Sequence, residues 1–364
     1  MVKKTAYWLS ALRMVLLAAL VVCACHKSDV AAPQDEPWTP LSGDMPISFT
    51  TSLAGETKTT SPLSTSTDFR LFGFYQPGVV DDDPAVDYTG TWADLAIQQW
   101  TPNFMYDQEV TYDSGAGKWT YSPVKYWPNN PENTITFWAY SPYYGDEDIL
   151  HLRENNSPDA YGNSVPGIPE IQFTTDGSRD LLVSDIAQDQ SYRGGDPADG
   201  AVPLLFHHAM CKVDFAVKKN DPDNNYAIVL KEISLKYLQT TAVLHQSGWG
   251  GGWGSGDIDV FDGNATMDRT TRAVYPASGE ILPLPQRLKG TGATLHVVYT
   301  FKIAGSDSDP VEYVNDVPLG DIHDLWEMEK HYTYNINISP GNPILFTATV
   351  EPWGSEQNGY YTVN

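Results

Sequence analysis

Helical periodicity is the first thing missing from this sequence. No window repeats its apolar residues at three- and four-residue spacing for more than a turn or two, the nearest being Asp94–Gln99. That absence excludes helical bundles and α/β nucleotide-binding folds. Cysteine is nearly missing as well, with only Cys23, Cys25 and Cys211 in 364 residues. If the N-terminal pair is used up in export, no internal disulfide or cysteine zinc cluster can form, and packing alone must hold the core. Positive charge is scarce, at 22 Lys+Arg against 46 Asp+Glu, a net charge of −24. So acidic a chain repels phosphate, which argues against a nucleic-acid partner.

A long hydrophobic run is also lacking. The apolar stretch VLLAALVV follows Lys3, Lys4 and Arg13 but falls short of the ~20 residues that a spanning helix needs. A basic start, a short apolar middle and small residues before a break predict a removable signal peptide over residues 1–24. The break reads Val22-Cys23-Ala24-Cys25 and resembles the lipobox of bacterial lipoproteins. Cys25, preceded by small Ala24, is the expected lipidation site, which would tether the chain to an outer membrane without crossing it. Residues 25–45 are polar and contain several prolines, and they predict a flexible tether.

Catalytic signatures are missing too. There is no Gly-x-Ser-x-Gly, no His-Glu-x-x-His and no phosphate-cradling Gly loop with Lys. No catalytic residue, cofactor or metal ligand is assigned, and an enzyme is not expected. His207-His208 resembles a ligand pair, but adjacent strand residues point to opposite faces and cannot converge on one ion. The acidic clusters Asp81-Asp82-Asp83, Gly145-Asp146-Glu147-Asp148 and Asp307-Ser308-Asp309 lack the spacing of a calcium loop and read as solvated charge. Cys211 reads as a small buried hydrophobe.

What the sequence does have is alternation with a period of two. Ile47, Phe49, Thr51 and Leu53 point one way, and Ser48, Thr50 and Ser52 the other. Similar runs recur at 71–75, 134–140, 213–217, 228–230, 294–299, 332–338 and 344–350, bounded by Gly, Pro, Asn and Asp. The expectation is an all-β chain of mostly antiparallel sandwiches. A polar stretch between about 186 and 200 predicts a boundary between an N-terminal sandwich over 46–190 and a C-terminal one over 200–364. The segment 247–257, with Trp249 and Trp253 among glycines, reads as a loop.

A set of motifs then points further. Lys118-Trp119-Thr120-Tyr121-Ser122-Pro123, Lys125-Tyr126-Trp127-Pro128 and Thr136-Phe137-Trp138-Ala139-Tyr140-Ser141-Pro142 come in order. Asp180-Leu181-Leu182-Val183, Val202–Met210, Leu282–Gln286, the Trp326…Lys330…Tyr332…Tyr334 strand and Val350-Glu351-Pro352-Trp353 follow. Together they resemble the fimbrillin family of bacterial pilus subunits over roughly 45–355, with Glu329 standing where Gly is expected.

The resemblance implies two tandem transthyretin-like antiparallel β-sandwich domains, export as a lipoprotein, and a place in a surface fimbria. It also implies proteolytic removal of the first strand and strand exchange with other pilus subunits. Here the removable strand would be that of Ile47, Phe49, Thr51 and Leu53. The cleavage residue would be Lys58, since Arg70 lies inside a strand. A host protein or glycan is a further partner on this reading. The rival from the residues themselves is a surface glycan-binding lipoprotein that stacks sugars on Trp249 and Trp253. An accessory domain of an enzyme is a third reading.

Overall fold

A computed structural model describes residues 45–54, 63–64, 67–78, 92, 102–128, 132–145, 148–153, 167–192, 201–277, 279–339 and 344–353. Within them the alternating segments become β1 (Ser48–Leu53), β2 (Phe69–Gln76), β3 (Met105–Asp113), β4 (Lys118–Thr120) and β5 (Thr134–Ser141). Next come β6 (Leu150–Arg153), β7 (Glu170–Thr174), β8 (Leu182–Ser184), β9 (Ala187–Gln190) and β10 (Ala201–His208). The second half supplies β11 (Lys212–Lys219), β12 (Tyr226–Leu238), β13 (Thr241–His245), β14 (Gly248–Trp249) and β15 (Gly256–Thr266). It ends with β16 (Ala273–Tyr275), β17 (Thr294–Ile303), β18 (Val311–Pro318), β19 (Lys330–Ile338) and β20 (Leu345–Pro352). No described element is a helix long and apolar enough to cross a membrane. The all-β expectation holds.

The first sheet runs β1-β10-β8-β5-β2-β3-β4, with β9 paired to β5. It curls until its ends meet. Pro46 bridges Tyr126, the Ile47 N–H donates to the Lys125 carbonyl at 2.9 Å, and the Trp127 N–H donates to that of Met45 at 3.2 Å. A bulge helps the curl: Asp107 in β3 has φ 47°, beside a register shift between Leu71 and Gly73 of β2. The enclosed core includes Phe49, Phe69, Leu71, Trp119, Phe137 and Phe206.

In the second half, the sheets β16-β11-β19-β20 and β15-β12-β17-β18 share one core built around Phe215, Leu230, Val297, Trp326 and Tyr334. Trp326 is fully buried, and its indole N–H is satisfied by the Tyr334 hydroxyl at 2.9 Å. A third sheet, β14-β13-β7-β6, ties the halves together, because β13 pairs with β7 from Thr241 opposite Thr174 to Leu244 opposite Ile171.

Most ladders are antiparallel, as expected, while β1 lies parallel to β10 and β11 parallel to β19. Parallel pairs need long crossovers, and both pairs join strands far apart in the chain. The strand after the predicted boundary, β10, is hydrogen-bonded back into the first sheet, so the chain leaves the first core at Ala209–Cys211. Finally, the Gly-rich segment 247–257 is not wholly loop, because Gly248–Trp249 pairs with β13.

Candidate functional site

β1 stands apart from the other strands of the first core. Its one full ladder is to β10, in register from Ser48 opposite Ala201 to Leu53 opposite Phe206. The Ala54 N–H closes that ladder onto the Phe206 carbonyl at 2.8 Å. On its other side, backbone contact comes from residues 125–127 near its start. The strand is thus the closing stave of a curled sheet, with its short length limiting the exposed edge.

Its inner face is a set of keys in holes. Ile47 and Phe49 are 2% and 4% exposed. The Phe49 ring packs edge-on against Phe137 at 5.4 Å and Phe69 at 6.3 Å, and tilted against Tyr121 at 5.8 Å. Each of these two side chains gains about 2–3 kcal/mol by leaving water. Leu53 packs on the same cluster.

The polar half of the lock comes from the Trp-x-Tyr motif on and after β4. Trp119 and Tyr121 are two residues apart and so share a face. The Trp119 indole N–H donates to the Thr51 hydroxyl at 3.1 Å, and the Tyr121 hydroxyl donates to the Ile47 carbonyl at 2.8 Å. Burial pushes the Tyr121 phenol up to about 12.

Without β1, the core would present a slot walled on one side by Val202, Leu204 and Phe206 of β10 and on the other by Trp119, Tyr121 and Trp127. The β10 edge would offer a row of backbone donors and acceptors. Such a slot binds an extended segment with apolar residues at alternate positions.

Of the residues singled out from sequence, Ile47, Phe49, Thr51 and Leu53 lie together on this inner face. Cys25 and Lys58 lie outside the described residues, as do Asp81–Asp83, Asp146, Glu147 and Asp94–Gln99. Arg70 is held in β2, paired on both sides with Glu109 and Tyr140, and its guanidinium sits 3.7 Å over the Tyr143 ring. A protease has no unpaired segment to grip there. Among the described residues, no group of three or more His, Cys, Asp or Glu is arranged to hold a metal ion.

The histidine pair does face two ways. His207 lies 3.2 Å from an oxygen of Asp185 and 3.2 Å from one of Glu329, while His208 contacts Asp180 at 2.7 Å and stacks on Trp353 at 3.7 Å. Glu329 has φ 59°, which explains why a glycine suits that position. Cys211 is buried immediately before β11, and desolvation raises its thiol well above the ordinary range.

The two tryptophans of the Gly-rich segment differ. Trp253 is 48% exposed, whereas Trp249 is half-buried and its indole N–H donates to the Ala209 carbonyl at 2.6 Å. Trp249 lines a cavity of about 610 Å³ with Gln239, Arg287, Glu327 and Lys330, but Trp253 is not part of that lining. The pairing of platforms that the glycan reading asks for is therefore split.

Comparison with known proteins gives concordant results. The family model described as fimbrillin-like matches residues 88–353. A curated relative, the fimbrium subunit Fim1C of Phocaeicola vulgatus, is 26% identical over 220 residues, 58% of this chain and 52% of that protein. The chain thus matches about half the length of that relative. Among solved structures, a fimbrial protein from Bacteroides vulgatus superposes with a TM-score of 0.63 at 19% identity, covering 84% of this chain and 99% of that one. That likeness is one of fold.

Proposed function

The chain belongs to the fimbrillin-like family, and from that membership we propose that it is a fimbrial subunit whose first strand is a removable plug. Fimbrial subunits work at the cell surface in assembly with one another. The finer reading is that export and lipidation at Cys25 bring the chain to the outer membrane. Cleavage after Lys58 then frees β1, and a strand from another subunit takes its place. The role is structural and adhesive, and it requires no catalysis.

The observation that carries this reading is the position of β1. It fills an aromatic-lined slot, is held along its length by a single neighbouring strand, and is followed by the polar segment containing Lys58. Burial makes the slot selective for an alternating apolar segment, and the ladder to β10 makes it tolerant of that segment's identity. The strand best placed to leave and serve a neighbour is β20, an edge strand paired only to β19, with Leu345 and Val350 exposed.

The test uses the chain beginning after Cys25, treated with a protease that cuts after Lys or Arg. N-terminal sequencing should find a new terminus at Thr59, and electron microscopy should find fibres. A cut chain that stays monomeric and takes up no added peptide of the β1 sequence overturns the proposal. Sugar binding by the uncut chain, abolished by Trp253→Ala, would instead favour the glycan reading.

A further inference from the structure

We infer that β10 couples the first strand to the last, so that an intact β1 keeps β20 fastened and loss of β1 loosens it. The inference rests on the strand-exchange reading for its purpose, and on the geometry of one strand for its mechanics. β10 is paired to β1 through Phe206, whose carbonyl takes the Ala54 N–H. The next two residues, His207 and His208, hold the second half.

His207 reaches Glu329, in the turn before β19, and Asp185 on its other side. His208, positioned by Asp180, stacks flat on Trp353 with an interplanar angle of 11°. Trp353 directly follows β20, and its backbone N–H donates to the Glu329 carbonyl at 2.7 Å. The Glu329 N–H donates in turn to the Met210 carbonyl at 3.1 Å. Glu329 takes a left-handed conformation that strains a non-glycine residue, and its carboxylate lies 3.2 Å from a His207 ring nitrogen without forming a hydrogen bond.

These contacts form one chain of direct packing: β1, β10, the two imidazoles, Glu329 and Trp353, then β20. Apart from these contacts, β20 is held by its eight-pair ladder to β19 and by the partly buried Phe346 and Ala348. It pairs with one strand, and most of its residues are exposed. Freeing β1 makes β10 an edge strand, loosens the backbone that aims both imidazoles, and so weakens the clasp on Trp353. Cleavage would then license a subunit both to accept a strand and to give one, which keeps uncut precursors from donating early.

Coupling of this kind is reciprocal. Hydrogen exchange followed by mass spectrometry on the chain beginning after Cys25 tests it in both directions. Phe49→Ala should speed exchange over residues 345–353 about tenfold, and Trp353→Ala should speed exchange over residues 48–53 by a similar factor. Trp353→Phe, which keeps a stacking ring, should do much less. Exchange across β12 and β17 should stay unchanged in all three variants.

If each substitution loosens only its own strand, or if β12 and β17 speed up equally, the coupling is wrong. A cut chain with β1 washed away separates this failure from that of the proposed function. Uptake of a synthetic peptide of residues 46–54 that also slows exchange over 345–353 supports the coupling. Uptake that leaves 345–353 unchanged overturns the coupling but keeps strand exchange, and no uptake overturns strand exchange itself.

Discussion

Each of the two cores begins with a strand that lies parallel to a later one, yet the two opening strands are secured very differently. β11 sits between β16 and β19, with eight register pairs to β19 and three to β16, and Val213, Phe215 and Val217 are wholly inside. β1 sits at the end of its sheet with a six-pair ladder on one side only. The apolar alternation of the two is alike, so hydrophobicity does not separate them. Position in the sheet does. An interior strand cannot leave without opening two ladders and the core together, whereas a strand at the end of its sheet is held by one ladder.

Substitutions should widen or erase that contrast. The largest effect is expected from Phe215→Ala in β11, about 3–5 kcal/mol of global stability, read by denaturant unfolding. Cys211 thiol labelling, in the chain beginning after Cys25, should accelerate with it, since the thiol is buried at the entry to β11. Phe49→Ala should cost a comparable ~3 kcal/mol, felt in β1 and through β10 in β20, but not in β11. Cys211 labelling should stay slow while exchange over 48–53 rises. If Cys211 becomes reactive in Phe49→Ala, the two strands are not independent in the way the sheets suggest.

Alkaline pH should act on β1 through Tyr121. Its folded value is pushed to about 12 by burial against an ordinary value near 10, so the folded chain holds its proton more tightly. The stabilisation is complete below about pH 10 and is lost as pH rises towards 12. Exchange over 48–53 should rise in that window, and Tyr121→Phe should remove this part of the pH response. The smallest effect is expected from Thr51→Val, which takes the acceptor from the Trp119 indole and should cost about 1 kcal/mol, seen as a small rise in the same exchange rates.

How much of this could be read from the sequence follows from what is local and what is not. β19 is plain because it alternates strictly from Tyr332 to Ile338, and β5 because it is a short apolar and aromatic run, buried along its whole length. Of β12, which runs from Tyr226 to Leu238, only 228–230 is legible in the sequence. Its buried apolar residues are Ile228, Leu230, Ile233, Leu235 and Leu238, a spacing of two, three, two and three, because bulges shift the phase. β18 was missed because an edge strand with exposed Val311, Tyr313 and Val314 has no buried face to betray it.

The inner face of β1 was legible residue by residue. Its partner was not, since nothing in residues 47–53 names residues 201–206 as the neighbour. The spacing of Trp119 and Tyr121 is a visible signature, but the strand they wall in lies some seventy residues away in sequence, and no local pattern links the two. The same holds for Glu329, whose departure from glycine marks a contact with His207.

One consequence of the β11–β19–β20 pairing concerns mechanical load. Lys212 lies opposite His331, and His331 lies opposite Glu351. The chain therefore enters and leaves the second sandwich at the same pole, beside the point where Trp353 meets β10. Tension applied between the first core and residue 353 would run across that pole and bypass the rest of the sandwich. The far end, where β12 starts and β17 turns into β18, would hang clear of the line of force. With β20 in place, that far end would keep its shape while the load passed it by.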